Sequence, residues 1–150
     1  MTNGHLDLIR RGARLADRLV VAVLRNEEKR PLFTVAERME MIAEVAHPIA
    51  NVEVDCFDGL LADYAARRGA GLILRGLRTA SDFDDEWRMA LMNRRLRPEL
   101  ETVFLAADEA HSFVSSRLVK EVARLGGDIS GLVPPAVEAR LRIKLSGGSS

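Results

Sequence analysis

"TNGHLDLIRRGARLADRLVVAVL", residues 2–24, carries two periodicities in succession. From about Asn3 to Ala16 the apolar positions Leu6, Ile9, Ala13 and Ala16 recur at helical spacing, with Leu8 and Leu15 alongside. That spacing predicts an amphipathic helix, with Thr2 as its cap. At residues 18–24 the pattern becomes the run RLVVAVL, which predicts a strand covered on both faces in a parallel sheet. The chain therefore opens on a helix that feeds a buried strand.

The same alternation continues. A polar loop, RNEEKRPLF, leads to a helix at TVAERMEMIAEVAH, whose Thr34 and Glu37 form a capping box. NVEVDCF (51–57) reads as a second strand, with Cys56 filling core, and GLLADYAARRG as a short helix ended by Gly69. GLILRGLR is a third strand that runs into a glycine turn. SDFDDEWRMALMNRRLRP is a helix with Asp82 as its cap and Phe83, Trp87, Ala90 and Leu91 on one face, stopping near Pro98. ETVFLAA is a fourth strand, SSRLVKEVARLGG a helix with a Gly-Gly stop, and PPAVEARLRIKL a last helix with proline near its start. Residues 1–145 read as one domain and 146–150, SGGSS, as a flexible tail. The expected class is α/β: a Rossmann-like open parallel sheet with helices on both faces. Each helix in such a fold follows a strand, so the helix at the start implies a βα unit whose first strand is absent.

Lys plus Arg equals Asp plus Glu, 22 each, so no overall field draws the chain to nucleic acid or a membrane surface. Anion binding must come from local arrangement. A single cysteine excludes an intrachain disulfide and fits a reducing compartment. No apolar run reaches the ~20 residues a membrane helix needs, and no signal peptide is visible, so a cytoplasmic protein is expected.

Parallel α/β folds bind ligands at the C-terminal ends of their strands, where helix N-termini converge. Several candidates fall there. In TNGH (2–5), Gly4 permits close approach to the backbone, free amides and the helix dipole favour an anion, and His5 adds a donor. By itself this is more simply a capped helix with an exposed histidine. Arg75 and Arg78 leave the third strand around Gly76, and guanidinium groups suit bidentate phosphate contacts as well as surface salt bridges. Ser115 and Ser116 open a helix, as a cap or as a phosphate cradle. Lys29 lies in the first loop, where a solvated lysine is the simpler reading. Glu86 and Asn93 share a helix face and suit a ribose, a base or water. No Cys/His set has metal-ligand spacing, and no nucleophile–base pair is readable. The pattern is many phosphate ligands without a covalent catalyst, which points to phosphoryl or nucleotidyl transfer by positioning and charge stabilisation.

Taken in order, TNGHLDLIRR, KRPLFTVAER, NVEVDCFDGLLADYA, LRGLRTASDFDDE, MALMNRRL, ETVFL and FVSSRLVKEVARLGGDISGLVP resemble the bacterial phosphopantetheine adenylyltransferase family of the HIGH-motif nucleotidyltransferases. The resemblance covers nearly the whole chain. It implies adenylyl transfer from ATP to 4′-phosphopantetheine, with magnesium arriving on the triphosphate, giving dephospho-coenzyme A and pyrophosphate. It assigns catalytic roles to His5, Lys29 and Arg78, and acceptor binding to Lys29, Leu61 and Arg75. ATP contacts fall on His5, Gly76, Leu77, Arg78 and Glu86, and on His111, Ser112, Phe113, Val114, Ser115, Ser116 and Arg117. It also implies a homohexamer. The family normally carries a first strand and a Gly-Thr-Phe-Asp-Pro turn just upstream of TNGH. Their absence from this sequence leads us to expect that Met1 marks a late start. Asp85 and His111 stand where relatives usually have aromatic residues, Glu27 and Glu28 precede Lys29, and Arg117 replaces a usual Ser or Thr. Two other readings remain open at this point: a nucleotidyltransferase for another phosphorylated acceptor, and a non-catalytic nucleotide-binding module.

Overall fold

A computed structural model describes residues 1–25 and 31–147. The elements are α1 (Asn3–Ala13), β1 (Leu19–Leu24), α2 (Val35–Ala46), β2 (Val52–Phe57), α3 (Leu61–Arg67), β3 (Leu72–Leu77), α4 (Ala80–Leu96), β4 (Glu101–Ala106), a 3-10 turn at Glu109–His111, α5 (Ser116–Arg124) and α6 (Pro135–Ser146). The alternation is the expected one, and both strand pairings are parallel.

The strands assemble as two pairs, where the sequence suggested one open sheet. β1 lies beside β2, from Leu19 opposite Val52 to Leu24 opposite Phe57. β3 lies beside β4, from Leu72 opposite Glu101 to Leu77 opposite Ala106. Among the described residues neither pair hydrogen-bonds to the other. Helix α1 packs on both β1 and β3. Gly12 makes that contact possible: a Cβ there would overlap a Leu74 methyl and press on Leu19. Gly76 does the same from the strand side, where a Cβ would come 3.0 Å from a Leu8 methyl.

The apolar core is divided. Met41 of α2, Val119 of α5, Val137 and Leu141 of α6, and the connecting residues Val114, Ile129 and Val133 form one buried cluster. Ala62 and Ala65 of α3 pack with Ile73 and Leu100 in a smaller one. A cavity of about 410 Å³ lies beside α1 and β1, walled by Ile9, Val21, Phe33, Met41 and Val119.

Local chemistry sets the ends of the elements. The Thr34–Glu37 capping box forms in both directions, at 2.7 and 3.2 Å. Gly69 takes the positive φ (64°) that ends α3. α1 stops three residues earlier than its periodicity suggested. Arg14 is its cap, and the Asn51 amide donates to the Ala13 and Ala16 carbonyls at 2.8 and 2.9 Å. A side chain remote in sequence thus satisfies the helix end. Thr79 caps α4, where Asp82 was expected: its hydroxyl accepts from the Asp82 amide at 3.3 Å. Asp82 sits three residues into the helix, with its carboxylate free for another partner. α6 runs through Ser146, one residue into the expected tail, and residues 148–150 lie outside the described chain. Cys56 is half-buried, not enclosed, and its Sγ accepts from Arg25 Nη2 at 2.9 Å.

Candidate active site

Three chain ends meet at one cavity of about 480 Å³: the N-terminus of α1, the C-terminal end of β3 and the N-terminus of α5. One face of α4 and the 3-10 turn close its sides. The parallel pairing of β3 with β4 brings Arg75 and Gly76 to this edge, and Ala106 and Ala107 beside them. Two helix N-termini at one cavity supply unpaired amides and the positive ends of two dipoles, an environment suited to phosphate. Ser115 is the α5 cap, accepting from the Leu118 amide at 3.1 Å. Ser116 lines the cavity without a hydroxyl contact of that kind.

Each arginine at the cavity is held by a carboxylate. Arg75 bonds Glu86 in a bidentate fork, 2.7 Å at both contacts, and the Glu86 hydrogen bond holds Arg75 still more firmly protonated. Arg78 bonds Asp82 at 3.0 Å and reaches the Val114 carbonyl at 3.4 Å. Arg11 bonds Asp7 at 3.2 Å and the Ala106 carbonyl at 2.7 Å. Partly exposed pairs of this kind contribute about 1 kcal/mol or less. They orient the guanidiniums yet yield readily to a phosphate, whose bidentate, charge-assisted bonds are stronger. The site is therefore pre-positioned and close to neutral before an anion enters.

His5 sits in the first turn of α1. Its Nδ1 lies 3.2 Å from the Thr2 amide nitrogen and 2.7 Å from Thr2 Oγ1. A backbone amide can only donate, so Nδ1 accepts and the proton of the neutral ring is on Nε2. Desolvation by the surrounding protein, then the amino-terminal charge and Arg78, push the imidazole down to about 4 from an ordinary 6.5. By accessible area the residue is exposed, so water tempers the desolvation. The downward direction is the part that bears on the chemistry: near pH 7 His5 is a neutral donor.

Of the residues singled out in the sequence, the cavity gathers His5, Arg75, Gly76, Arg78, Glu86, His111, Val114, Ser115 and Ser116. Leu77, Ser112, Phe113 and Arg117 do not line it, and Phe113 is 65 % exposed. Leu61 opens α3 and packs on the smaller apolar cluster, away from this cavity. Lys29, Glu27 and Glu28 lie outside the described residues. Asn93 is buried at 5 % exposure, so it neither faces water nor lines the cavity. Gly4 lines the cavity as well, with His111 beside it: a Cβ added at Gly4 would come 3.4 Å from the His111 Cβ.

Sequence reading missed Thr2 as a wall of the site, along with Asp7, Leu8, Arg11, Asp82 and Asp85. A signal existed for the α1 group: Gly4, Leu8 and Arg11 follow the three-to-four spacing of a single helix face. Among the described residues no three His, Cys, Asp or Glu groups gather as a metal cage.

A parallel α/β fold with two helix N-termini, a strand-end Arg-Gly-x-Arg and a helix-borne histidine around one cavity defines a nucleotidyltransferase-type domain, and residues 1–122 match the cytidylyltransferase-like family. The relatives are more particular. The chain is 54 % identical over 145 residues to the phosphopantetheine adenylyltransferase of Anaeromyxobacter dehalogenans (strain 2CP-C), covering 97 % of this chain and 88 % of that one. It is 52 % identical over 137 residues to that of Alkaliphilus metalliredigens (strain QYMF), covering 91 % and 87 %. It is 53 % identical over 145 residues to that of Aromatoleum aromaticum (strain DSM 19018 / LMG 30748 / EbN1), covering 97 % and 89 %. The chain belongs to the phosphopantetheine adenylyltransferase family.

Proposed function

We propose that this chain catalyses adenylyl transfer from ATP to 4′-phosphopantetheine, the reaction of coenzyme A synthesis that its relatives' names denote. An oxygen of the acceptor phosphate attacks the α-phosphorus in line. The bond from the α-phosphorus to the bridging oxygen breaks, and pyrophosphate leaves with the electron pair. The observation that carries this reading is the convergence of His5, Arg75, Arg78 and the α1 and α5 N-termini on one cavity. Such a set stabilises spread negative charge and needs no covalent intermediate.

In this reading Arg75 and Lys29 hold the acceptor phosphate and Leu61 lines the pantetheine arm. Gly76, Leu77, Arg78, Glu86 and residues 111–117 contact ATP, and His5 donates to the α-phosphate oxygen. Magnesium belongs to the reaction as part of the substrate, arriving with the triphosphate. We place the enzyme in the cytoplasm, as a homohexamer. Among the described residues no helix is long and apolar enough to cross a membrane. The exposed Phe83, Trp87, Leu91 and Leu96 of α4 support self-association.

The test is to incubate the chain with magnesium, ATP and 4′-phosphopantetheine and follow pyrophosphate release and dephospho-coenzyme A by mass spectrometry. Stoichiometric product is expected. Nucleotide binding without product would favour a non-catalytic module. Product only with a different phosphorylated acceptor would reassign the substrate.

A further inference from the structure

Thr2 is 2 % exposed, and among the described residues only it and Asn93 are buried polar residues. A buried hydroxyl needs a partner. The partner here is the Nδ1 of His5, 2.7 Å away, and the Thr2 amide approaches the same nitrogen at 3.2 Å. Two donors from one residue thus converge on one ring nitrogen. The arrangement is covalently compact: Thr2 is the N-cap of α1 and His5 the third residue of its first turn, so the helix itself sets their separation. The Asn3 amide and side chain fix the same turn to the carbonyls of Leu132 and Gly131, at 2.9 and 2.6 Å.

We propose that Thr2 is the positioning residue of His5: its amide and hydroxyl together lock the ring as the Nε2–H tautomer, so that His5 meets phosphate as a neutral hydrogen-bond donor. The geometry favours this over an imidazolium. Protonating Nδ1 would set an N–H against the Thr2 amide, which can only donate, and break that contact, while the hydroxyl would have to reverse and accept. The groups around the ring oppose a further positive charge as well. Arg78 lies close enough to act on it, and Arg38 of α2 and Lys120 of α5 stand around the adjoining cavity. The acids of the cavity wall are Asp7, Asp82, Asp85 and Glu86, and Asp7, Asp82 and Glu86 are each already bonded to an arginine. His111, the other imidazole at the cavity, stands across from Gly4. A fixed neutral donor suits a reaction in which no proton needs to reach the leaving pyrophosphate, since the acceptor phosphate is already anionic.

The inference concerns the adenylyl-transfer reading only in its activity arm. The ring itself is read in the ligand-free protein. With ¹⁵N-histidine labelling, long-range ¹H–¹⁵N spectra of the ligand-free chain are expected to show His5 as the Nε2–H tautomer, titrating well below 6.5. His5→Asn identifies its resonance. Thr2→Val keeps the shape and the amide but removes the hydroxyl. It is expected to move the ring's titration toward 6.5, make the Nδ1–H form detectable, and lower kcat about three- to tenfold, the range for one lost hydrogen bond, at unchanged KM for the acceptor. Thr2→Ser is expected to restore both titration and kcat. A ring that is Nδ1–H in the native chain, or that titrates at or above 6.5, overturns the proposal. So does a Thr2→Val chain, folded by circular dichroism, with native titration and native kcat. If no variant shows turnover, the spectra alone decide the role of Thr2, and the reaction assignment fails separately.

Discussion

At the scale of single residues, the site is a set of cations already matched with acids. Arg75 and Arg78 are oriented by Glu86 and Asp82. Removing one preorganised hydrogen-bond donor that faces developing charge costs about 10²–10³ in rate. His5→Ala is expected to lower kcat in that range, measured by pyrophosphate release. An unchanged kcat would remove His5 from the mechanism. If Arg75 holds the acceptor phosphate, as proposed, Arg75→Ala is expected to raise KM for 4′-phosphopantetheine more than KM for ATP. Most of these residues could be read directly: TNGH, RGLR and SS each sit where a strand end or helix start must lie. Asp82 could not. Its sequence neighbourhood made it the cap, and only the backbone geometry shows Thr79 taking that place and leaving Asp82 for Arg78.

At the scale of elements, α1 and α4 carry the most consequence. α1 bridges the two strand pairs through Gly12. Gly12→Val is expected to overpack the contact with Leu74 and Leu19 and lower stability by about 1–3 kcal/mol, read from urea unfolding. An unchanged midpoint would show that the helix can shift at no cost. On α4 the usual amphipathic logic is inverted. Its polar residues Asp82 and Glu86 line the cavity and Asn93 is buried, while Phe83, Trp87 and Leu91 face out. Phe83 stacks on Trp87 at 5.8 Å and meets Phe104 edge-on at 5.9 Å. Periodicity revealed both faces but not which one turns inward, because an apolar stripe usually marks the core and here the other face serves the site. Trp87→Asp is expected to shift the chain to smaller species in sedimentation velocity. An unchanged sedimentation coefficient would exclude this stripe from any assembly.

At the scale of the whole molecule, the order of elements and their parallel pairing were legible, because near-continuous apolar strands alternate with periodic helices. The division into two pairs was not, since each strand's own sequence is silent on which edge meets a partner. Acid stability follows from the charges together. Between 6.5 and about 4 the unfolded chain protonates His5 while the folded chain resists, so stability falls as pH descends through that window. Below it, carboxylates held under their ordinary values add to the loss: Glu37 by Lys144, Asp55 by the Tyr64 hydroxyl, Asp128 by the Ser130 amide. The urea midpoint is expected to drop steadily below pH 6.5, and His5→Asn to flatten the first part of that slope. A wild-type midpoint constant down to pH 4 would contradict it. The aromatic stack on α4 has one more use. The chain has a single tryptophan, one residue beyond Glu86 and 48 % exposed. Its emission wavelength and quenching by iodide therefore make the protein its own optical gauge of whether a nucleotide reaches one side of the helix and whether a neighbouring chain covers the other.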